Sequence, residues 1–429
     1  MSGAEILALL DAGAMRGVLA RIPLFATRAA QLKDVSLERV WVKPGRHFHA
    51  SYRIQLDTED GQVETLAQAG LLRDRTQASD VRDAILETPP GVLRAGGPAR
   101  WDAGLSTALV DSPPALVQLF PWDYRLPTLP LAFDLGRLEA ELAPLTLRSC
   151  EVVGYWPGMR CQIRYHLGDP GATLYGKVVP HGVGAALGRS GAAVEEKVRN
   201  RAALVTPKQF AELPKLNLLL TEPVEGHAFI DLLRDGGGAA EAIPRVAAAL
   251  ALFHSLPVSG IEGQFQPHDD LAVVGPWVAL VSTAFPDLAA SLEVTLARLR
   301  RELPAAAPAA WSLIHRDFYD RQVLVSPSRI AFLDLDTVCR GDAEIDVANF
   351  CAHFVLRGLQ WHSRADAFTS LEDEFVTHYR GLRPGTDVNL LSWYRASALL
   401  RLACVYSLRP WWHSLTLQLV EASRRALER

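Results

Sequence analysis

Apolar and polar positions alternate over residues 37–72, and turn residues interrupt them at Pro44-Gly45 and around Asp60-Gly61. That pattern predicts three strands. A helical stretch over 76–86 follows, then a Pro/Gly-rich connector over 89–98 and two apolar runs, 107–110 and 115–120. Another helix is expected over 131–142. Residues 151–179 then repeat the alternating pattern, followed by an Ala-rich helix over about 192–204 and an apolar run at 216–220. From Gly226 the spacing becomes helical, with helices expected over 229–233, 239–256, 277–303, 344–358, 363–381, 388–408 and 413–427. One later stretch breaks this rhythm. Residues 311–314 are apolar, 315–322 polar and aromatic, 323–325 apolar, 326–329 turn-forming and 330–335 apolar, which reads as strand, loop, strand, turn, strand.

The two alternating stretches match in detail. Pro157-Gly158 stands where Pro44-Gly45 stands, and Tyr165 follows Pro157 by eight residues, as Tyr52 follows Pro44. Thr173-Leu174 opens a third strand as Thr65-Leu66 does. The runs LVQLFPWD (116–123) and LLLTEPVEG (218–226) both end at a Pro and an acid. These coincidences point to an internal duplication.

The broken stretch carries the chemistry. Its order is His315, Arg316, Asp317, then Gln322, then Asp334 and Asp336. A carboxylate that takes the proton of an attacking hydroxyl, with a second carboxylate and an amide oxygen for a magnesium ion, is what phosphoryl transfer from ATP requires. Kinase catalytic loops read H-R-D-x-x-x-x-N, with the metal Asp on the next hairpin. The stretch resembles the aminoglycoside phosphotransferase-like branch of the protein-kinase-like fold, where the metal Asp is followed by a bulky residue and an acid, as in LDLD (333–336). GDAEIDVANF (341–350) resembles that branch's next segment, in which Asp346 opens a helix under the catalytic loop. Gln322 departs from the family's usual Asn and keeps the coordinating oxygen on a longer arm.

The resemblance implies an α+β, two-lobed protein-kinase-like fold, with an antiparallel-sheet N-lobe over 135–225 and a helical C-lobe over 226–429. Residues 1–134 would form an additional N-terminal lobe, a degenerate duplicate of the N-lobe. In the second copy, TLYGKVV (173–179) places Lys177 where a kinase keeps its phosphate-gripping lysine; the aligned TLAQAGL (65–71) has Ala69 there. Glu195 and Glu196 are the candidate helix partners of Lys177. The turn Pro157, Gly158, Met159, Arg160 would lie over the phosphates, and the segment from Glu222 to Val224 would hold adenine through its backbone. Asp317 is the expected base, with Arg316 or Arg321 assisting. Gln322, Asp334 and Asp336 are the expected Mg2+ ligands, and ATP and Mg2+ the implied cofactors. His254 reads as a structural histidine at a helix end. Trp361, His362, Trp393, Tyr394, Trp411 and Trp412, with Arg401 and Arg409, are candidates for the wall of an acceptor pocket.

Composition narrows the partners. With 429 residues, two or three units are expected. A chain with 49% hydrophobic and 21% charged residues and a formal net charge of -4 offers no bulk electrostatic case for nucleic acid. No apolar run reaches membrane-spanning length, and Glu5 and Asp11 mark residues 1–24 as an amphipathic helix rather than a signal peptide. Cys150, Cys161, Cys339, Cys351 and Cys404 are scattered without metal-ligand spacing, as reduced thiols in a cytoplasm would be. The chain lacks an A-P-E segment and a long activation loop after Asp334, which argues against protein substrates. The expected function is ATP- and Mg-dependent phosphorylation of a small-molecule hydroxyl: a sugar, a sugar derivative or an aminoglycoside-like natural product. The alternative is a catalytically silent module that binds nucleotide or a protein partner.

Overall fold

The computed structural model describes residues 2–45, 47–72, 101–111, 114–169, 171–304, 311–361 and 365–428. The expected helix over 76–86, the connector 89–98 and His362 lie outside the described residues. The N-terminal period yields two helices rather than one, α1 (Gly3–Leu10) and α2 (Ala12–Leu19), then the short α3 (Pro23–Ala26). Asp11 divides them, because its carboxylate accepts from the Gly13 and Ala14 N–H groups at 2.8 and 3.1 Å and so caps α2.

Strands β1 (Gln31–Lys43), β2 (His47–Thr58) and β3 (Gly61–Leu71) follow, then the helical turn α4 (Ala103–Ser106), β4 (Thr107–Asp111) and β5 (Pro114–Leu119). The second set is α5 (Leu135–Leu142), β6 (Leu147–Trp156), β7 (Arg160–Leu167) and β8 (Thr173–Val178). Helix α6 spans Gly184–Val198, earlier than the spacing predicts. Leu204, expected at its end, lies instead in the short strand β9 (Leu204–Val205), drawn there by parallel pairing with Ile330. Strands β10 (Gln209–Leu213) and β11 (Leu218–Thr221) complete the set. The sheets run β1-β2-β3-β5-β4 and β6-β7-β8-β11-β10, the same order in each.

The chain divides into two compact units, Met1–Gly188 with Gln209–Glu222, and Arg189–Lys208 with Pro223–Arg429. The first unit holds both five-stranded sheets. Each buries its repeated tyrosine and satisfies the hydroxyl in the same way: Tyr52 donates to the Leu9 carbonyl at 2.6 Å and Tyr165 to the Ala132 carbonyl at 2.9 Å. Counting from these tyrosines, Gln162 pairs with Lys177, and the matching pair in the first sheet is His49 with Gly70. The first-sheet counterpart of Lys177 is therefore Gly70 and not Ala69, because the two β-hairpin loops differ in length. A Cβ on Gly70 would fall 2.7 Å from the His49 ring, so the imidazole occupies the place of any side chain there.

The core of the second sheet does not begin at residue 135. Phe120, Leu126, Leu129 and Phe133 are buried in one cluster with Tyr155, Ile163, Tyr165 and Leu218, and Thr128 Oγ1 donates to the Leu216 carbonyl at 2.6 Å. A boundary at 134 cuts this core. Burying each such side chain contributes roughly 1.5–3 kcal/mol, a total comparable with the roughly 5–15 kcal/mol net stability of a domain. Residues 135–429 expressed alone are expected to be poorly soluble or to melt well below the full chain. Equal melting temperatures for the two would overturn this account.

The second unit adds β12 (His227–Ala228), α7 (Phe229–Asp235), α8 (Ala239–His254), β13 (Gln264–Phe265), α9 (Pro267–Ala284) and α10 (Pro286–Arg301). The single helix expected over 277–303 is broken at Pro286, which lacks the N–H that would continue α9. Then come β14 (Ser312–Ile314), β15 (Val323–Val325), β16 (Ile330–Phe332), β17 (Cys339–Gly341), α11 (Glu344–Gln360), α12 (Ala365–Leu382), α13 (Val388–Ser407) and α14 (Thr416–Ala426). The short strands form two sheets, β12-β15-β16-β9 and β13-β17-β14. Strand β14 thus pairs with β17 and not with the hairpin β15–β16 that follows it.

Candidate active site

The loop after β14 is built on one face of helix α11. At its start, Arg316 has φ +69, a region few non-glycine residues enter. The Asp346 carboxylate holds the backbone there, accepting from the His315 N–H at 2.6 Å and the Arg316 N–H at 2.7 Å. His254 Nε2 donates to the same carboxylate at 3.0 Å, and its Nδ1 lies 2.7 Å from the Tyr379 hydroxyl. Burial keeps His254 below its ordinary pKa, which suits a neutral ring with one nitrogen donating and the other accepting. His254 is therefore a structural histidine that orients Asp346.

Three further residues of α11 grip the loop at helical spacing. Asn349 Nδ2 donates to the Phe318 carbonyl at 2.9 Å. The His353 ring stacks on Tyr319 with centroids 4.6 Å apart, and burial pushes its pKa down to about 4. Arg357 holds Asp320 through two hydrogen bonds, at 2.6 and 3.0 Å, with both side chains buried. Phe318 itself is fully buried between Phe332 and Phe350. Asp317 stands half-buried among these fixed neighbours.

Removing one partner of a buried pair leaves an uncompensated charge and costs about 3–5 kcal/mol. Arg357→Leu is expected to destabilise the chain by that order and to lower turnover with it. Restoring stability with Asp320→Asn in the same chain would support the pairing. Unchanged denaturant midpoints in Arg357→Leu would refute it.

The second acidic element follows β16. Asp334 has φ +57, tolerable for Asp, and the Leu333 N–H donates to the Gln322 carbonyl at 2.9 Å. This brings the Gln322 side chain to the Asp334 carboxylate, with Nε2 3.4 Å from Oδ2. Burial raises the pKa of the neighbouring Tyr319 phenol, and Asp317, Asp320 and Asp334 add to the shift. The set fits a magnesium ion. Mg2+ takes oxygen donors from one or two carboxylates and completes its shell with phosphates and water. The Asp334 carboxylate and the Gln322 amide supply such oxygens once the interchangeable amide is turned. Asp336 is half-buried in the following turn, Leu335–Thr337.

The other expected site residues fall as follows. The Arg316 guanidinium lies 4.5 Å over the Phe265 ring. Arg321 is exposed beside Gln322. Lys177 is half-buried on β8 between Gln162 and Leu219. Glu195 is held by Arg199 at 2.8 Å, which with Lys208 lowers its pKa, and Glu196 is exposed. Glu222 ends the first unit, and Val224 belongs to the second.

Pro157 and Gly158 are a correction. Both are buried, and the Gly158 N–H and carbonyl are taken by Asp123 and Arg125, so they do not offer phosphates an open turn. Arg160 is half-buried, on the same face as Lys177. Trp393 and Tyr394 are also corrections: they are core residues, with Trp393 Nε1 donating to the Leu299 carbonyl and the Tyr394 hydroxyl to Asp342. Arg401 bonds Asn349 at 2.8 Å, and Arg409 lies 4.3 Å over the Tyr406 ring. Trp361 and Trp412 are half-buried and Trp411 is 49% exposed.

The polar stripe Asp346, Asn349, His353, Arg357 was not anticipated beyond Asp346. Its spacing on an otherwise apolar helix was the available signal.

The phosphotransferase enzyme family model matches residues 164–384, more than half of the 429 residues, and the chain belongs to that family. Among curated proteins, an uncharacterised protein of Deinococcus radiodurans is 33% identical over 110 residues, which is 25% of this chain and 31% of that protein. The chain thus covers under a third of that relative's length. Among solved structures, a choline/ethanolamine kinase family protein from Mesorhizobium loti is 14% identical with a TM-score of 0.48, covering 69% of this chain and 94% of that chain. The aminoglycoside phosphotransferase APH(4)-Ia is 15% identical, with a TM-score of 0.48 and coverage of 69% and 98%. No described helix is long and apolar enough to cross a membrane. The cysteines are free thiols.

Proposed function

We propose that the protein transfers the γ-phosphoryl group of ATP to a hydroxyl of a small molecule. The hydroxyl oxygen forms the new bond to phosphorus, the bond to the bridging oxygen of ADP breaks, and the hydroxyl proton passes to Asp317. Lys177 grips the phosphates from β8. Magnesium bound by Asp334 and Gln322 would neutralise charge building on the transferred group. The carrying observation is the clamped loop on α11, which carries Asp317 between fixed neighbours and brings Gln322, at its end, beside Asp334. Catalysis of this kind is almost entirely positioning and charge stabilisation, and a loop anchored at four successive points suits it.

The acceptor reading is a sugar or sugar derivative, with an aminoglycoside-like natural product next. The core aromatics Trp393 and Tyr394 are withdrawn from that pocket, which leaves Trp361, Trp411 and Trp412 as its aromatic candidates. We read the β1–β5 sheet as a degenerate copy of the Lys177-bearing sheet. The shared strand order, the paired tyrosines and Gly70 in the lysine's place support this. The test is ATP consumption against a panel of hydroxyl acceptors, with the product mass read out. A phosphorylated acceptor supports the reading. Nucleotide binding without turnover on any acceptor favours the silent module.

A further inference from the structure

In the second sheet Lys177 stands on the face opposite Tyr165, together with Gln162 and Arg160. The corresponding face of the first sheet carries His49, and it is not open. Tyr124 stacks on the His49 ring, with centroids 6.1 Å apart and planes at 26°. Gly158 of the second sheet's Pro-Gly turn sits against the same ring, where a Cβ would fall 2.7 Å from Cε1 and Nε2. The first sheet thus receives the turn of the second on the face where a nucleotide would have lain.

The turn is clamped rather than merely covered. Asp123, only 3% exposed, accepts from the Gly158 N–H at 2.6 Å and the Tyr155 hydroxyl at 2.9 Å through Oδ2, and from the Arg125 N–H at 2.9 Å through Oδ1. Arg125 Nε donates to the Gly158 carbonyl at 2.8 Å. Gly158 has φ +68, so the turn needs glycine twice, for its backbone and for the ring beside it. A buried carboxylate is a poor way to gain docking stability, since apolar packing does as well without desolvating a charge. A fully satisfied polar network does fix one geometry. What leaves this fixed turn is Arg160, at the start of β7 and on the Lys177 face, with its guanidinium 4.6 Å from the Trp156 ring centroid.

We infer that Asp123 is a positioning residue: it locks the Pro157–Gly158 turn, and so the departure of Arg160, such that the N-terminal lobe sets phosphate affinity without touching nucleotide. This rests on the proposed nucleotide-binding reading.

The test uses the full chain and calorimetric titration with two probes, Mg·ATP and adenosine, beside a thermal melt. Asp123→Asn and Arg125→Ala are each expected to weaken Mg·ATP binding by about tenfold, the scale of one charged hydrogen bond, and to leave adenosine affinity unchanged. In an Arg160→Ala background, Asp123→Asn should add little, because the pair then no longer acts together. Tyr155→Phe removes a single contact and carries the test if Asp123→Asn does not fold; it should weaken Mg·ATP in the same selective way. A wild-type chain that binds neither probe overturns the nucleotide reading and this inference with it. A wild-type chain that binds both, with variants that lose ATP and adenosine equally or lose only melting temperature, overturns the positioning role alone.

Discussion

Asp317→Asn is expected to lower turnover by roughly 10²–10⁴-fold while Mg·ATP affinity stays nearly unchanged. The substitution keeps the size of the side chain and removes its capacity to take a proton. The loop should keep its shape, because its anchors are Asp346, Asn349, His353 and Arg357, all present in the variant. An effect confined to the chemical step appears in kcat, with no matching change in nucleotide affinity. Single-turnover rates beside calorimetric titration separate the two. Loss of ATP binding with no independent effect on the rate would assign Asp317 to the nucleotide rather than to the acceptor hydroxyl.

The strand–loop–strand stretch was legible in the sequence because its signals are local. Short apolar runs bounded by Ser326 to Arg329 sufficed to place β15 and β16. The partner of β14 was not legible, since β17 lies beyond the hairpin and pairing between distant short strands leaves no local trace. The stripe on α11 was visible but ambiguous. Asp346, Asn349, His353 and Arg357 share one helical face, and polar residues at that spacing usually face water. Here burial inverts the expectation, because a loop with its own polar backbone packs against them.

Tertiary context also reassigned the Pro157-Gly158 turn. From its resemblance, it covers phosphates. In the fold, the place of a side chain on its glycine is taken by His49 and Arg125. No local feature of residues 116–125 announces that Asp123 accepts from a glycine 35 residues later. The Thr-Leu match between the copies was misleading by one residue for a similar reason. It compares sequence, whereas the position of a strand residue is set by pairing register, and one step in register moves a side chain to the opposite face.

Asp334→Ala is expected to abolish Mg2+-dependent ATP binding and to lower turnover by at least roughly a hundredfold, because the site loses its main anionic ligand for a hard cation. Alanine also loses the left-handed tolerance that φ +57 demands, so a backbone effect could mimic a metal effect. Asp334→Asn separates them: Asn accepts that φ and keeps an oxygen, but carries no charge. If charge is what matters, both variants lose magnesium dependence, and Asp334→Asn keeps the wild-type melting temperature. Gln322→Asn keeps the amide oxygen on a shorter arm and should be mild. The measurement is ATP affinity as a function of Mg2+ concentration for all three variants. Were Asp334→Asn to retain full magnesium dependence, the carboxylate would not be the metal ligand. Were Gln322→Asn as damaging as Asp334→Ala, the amide's contact with Asp334 would be holding the loop rather than the ion.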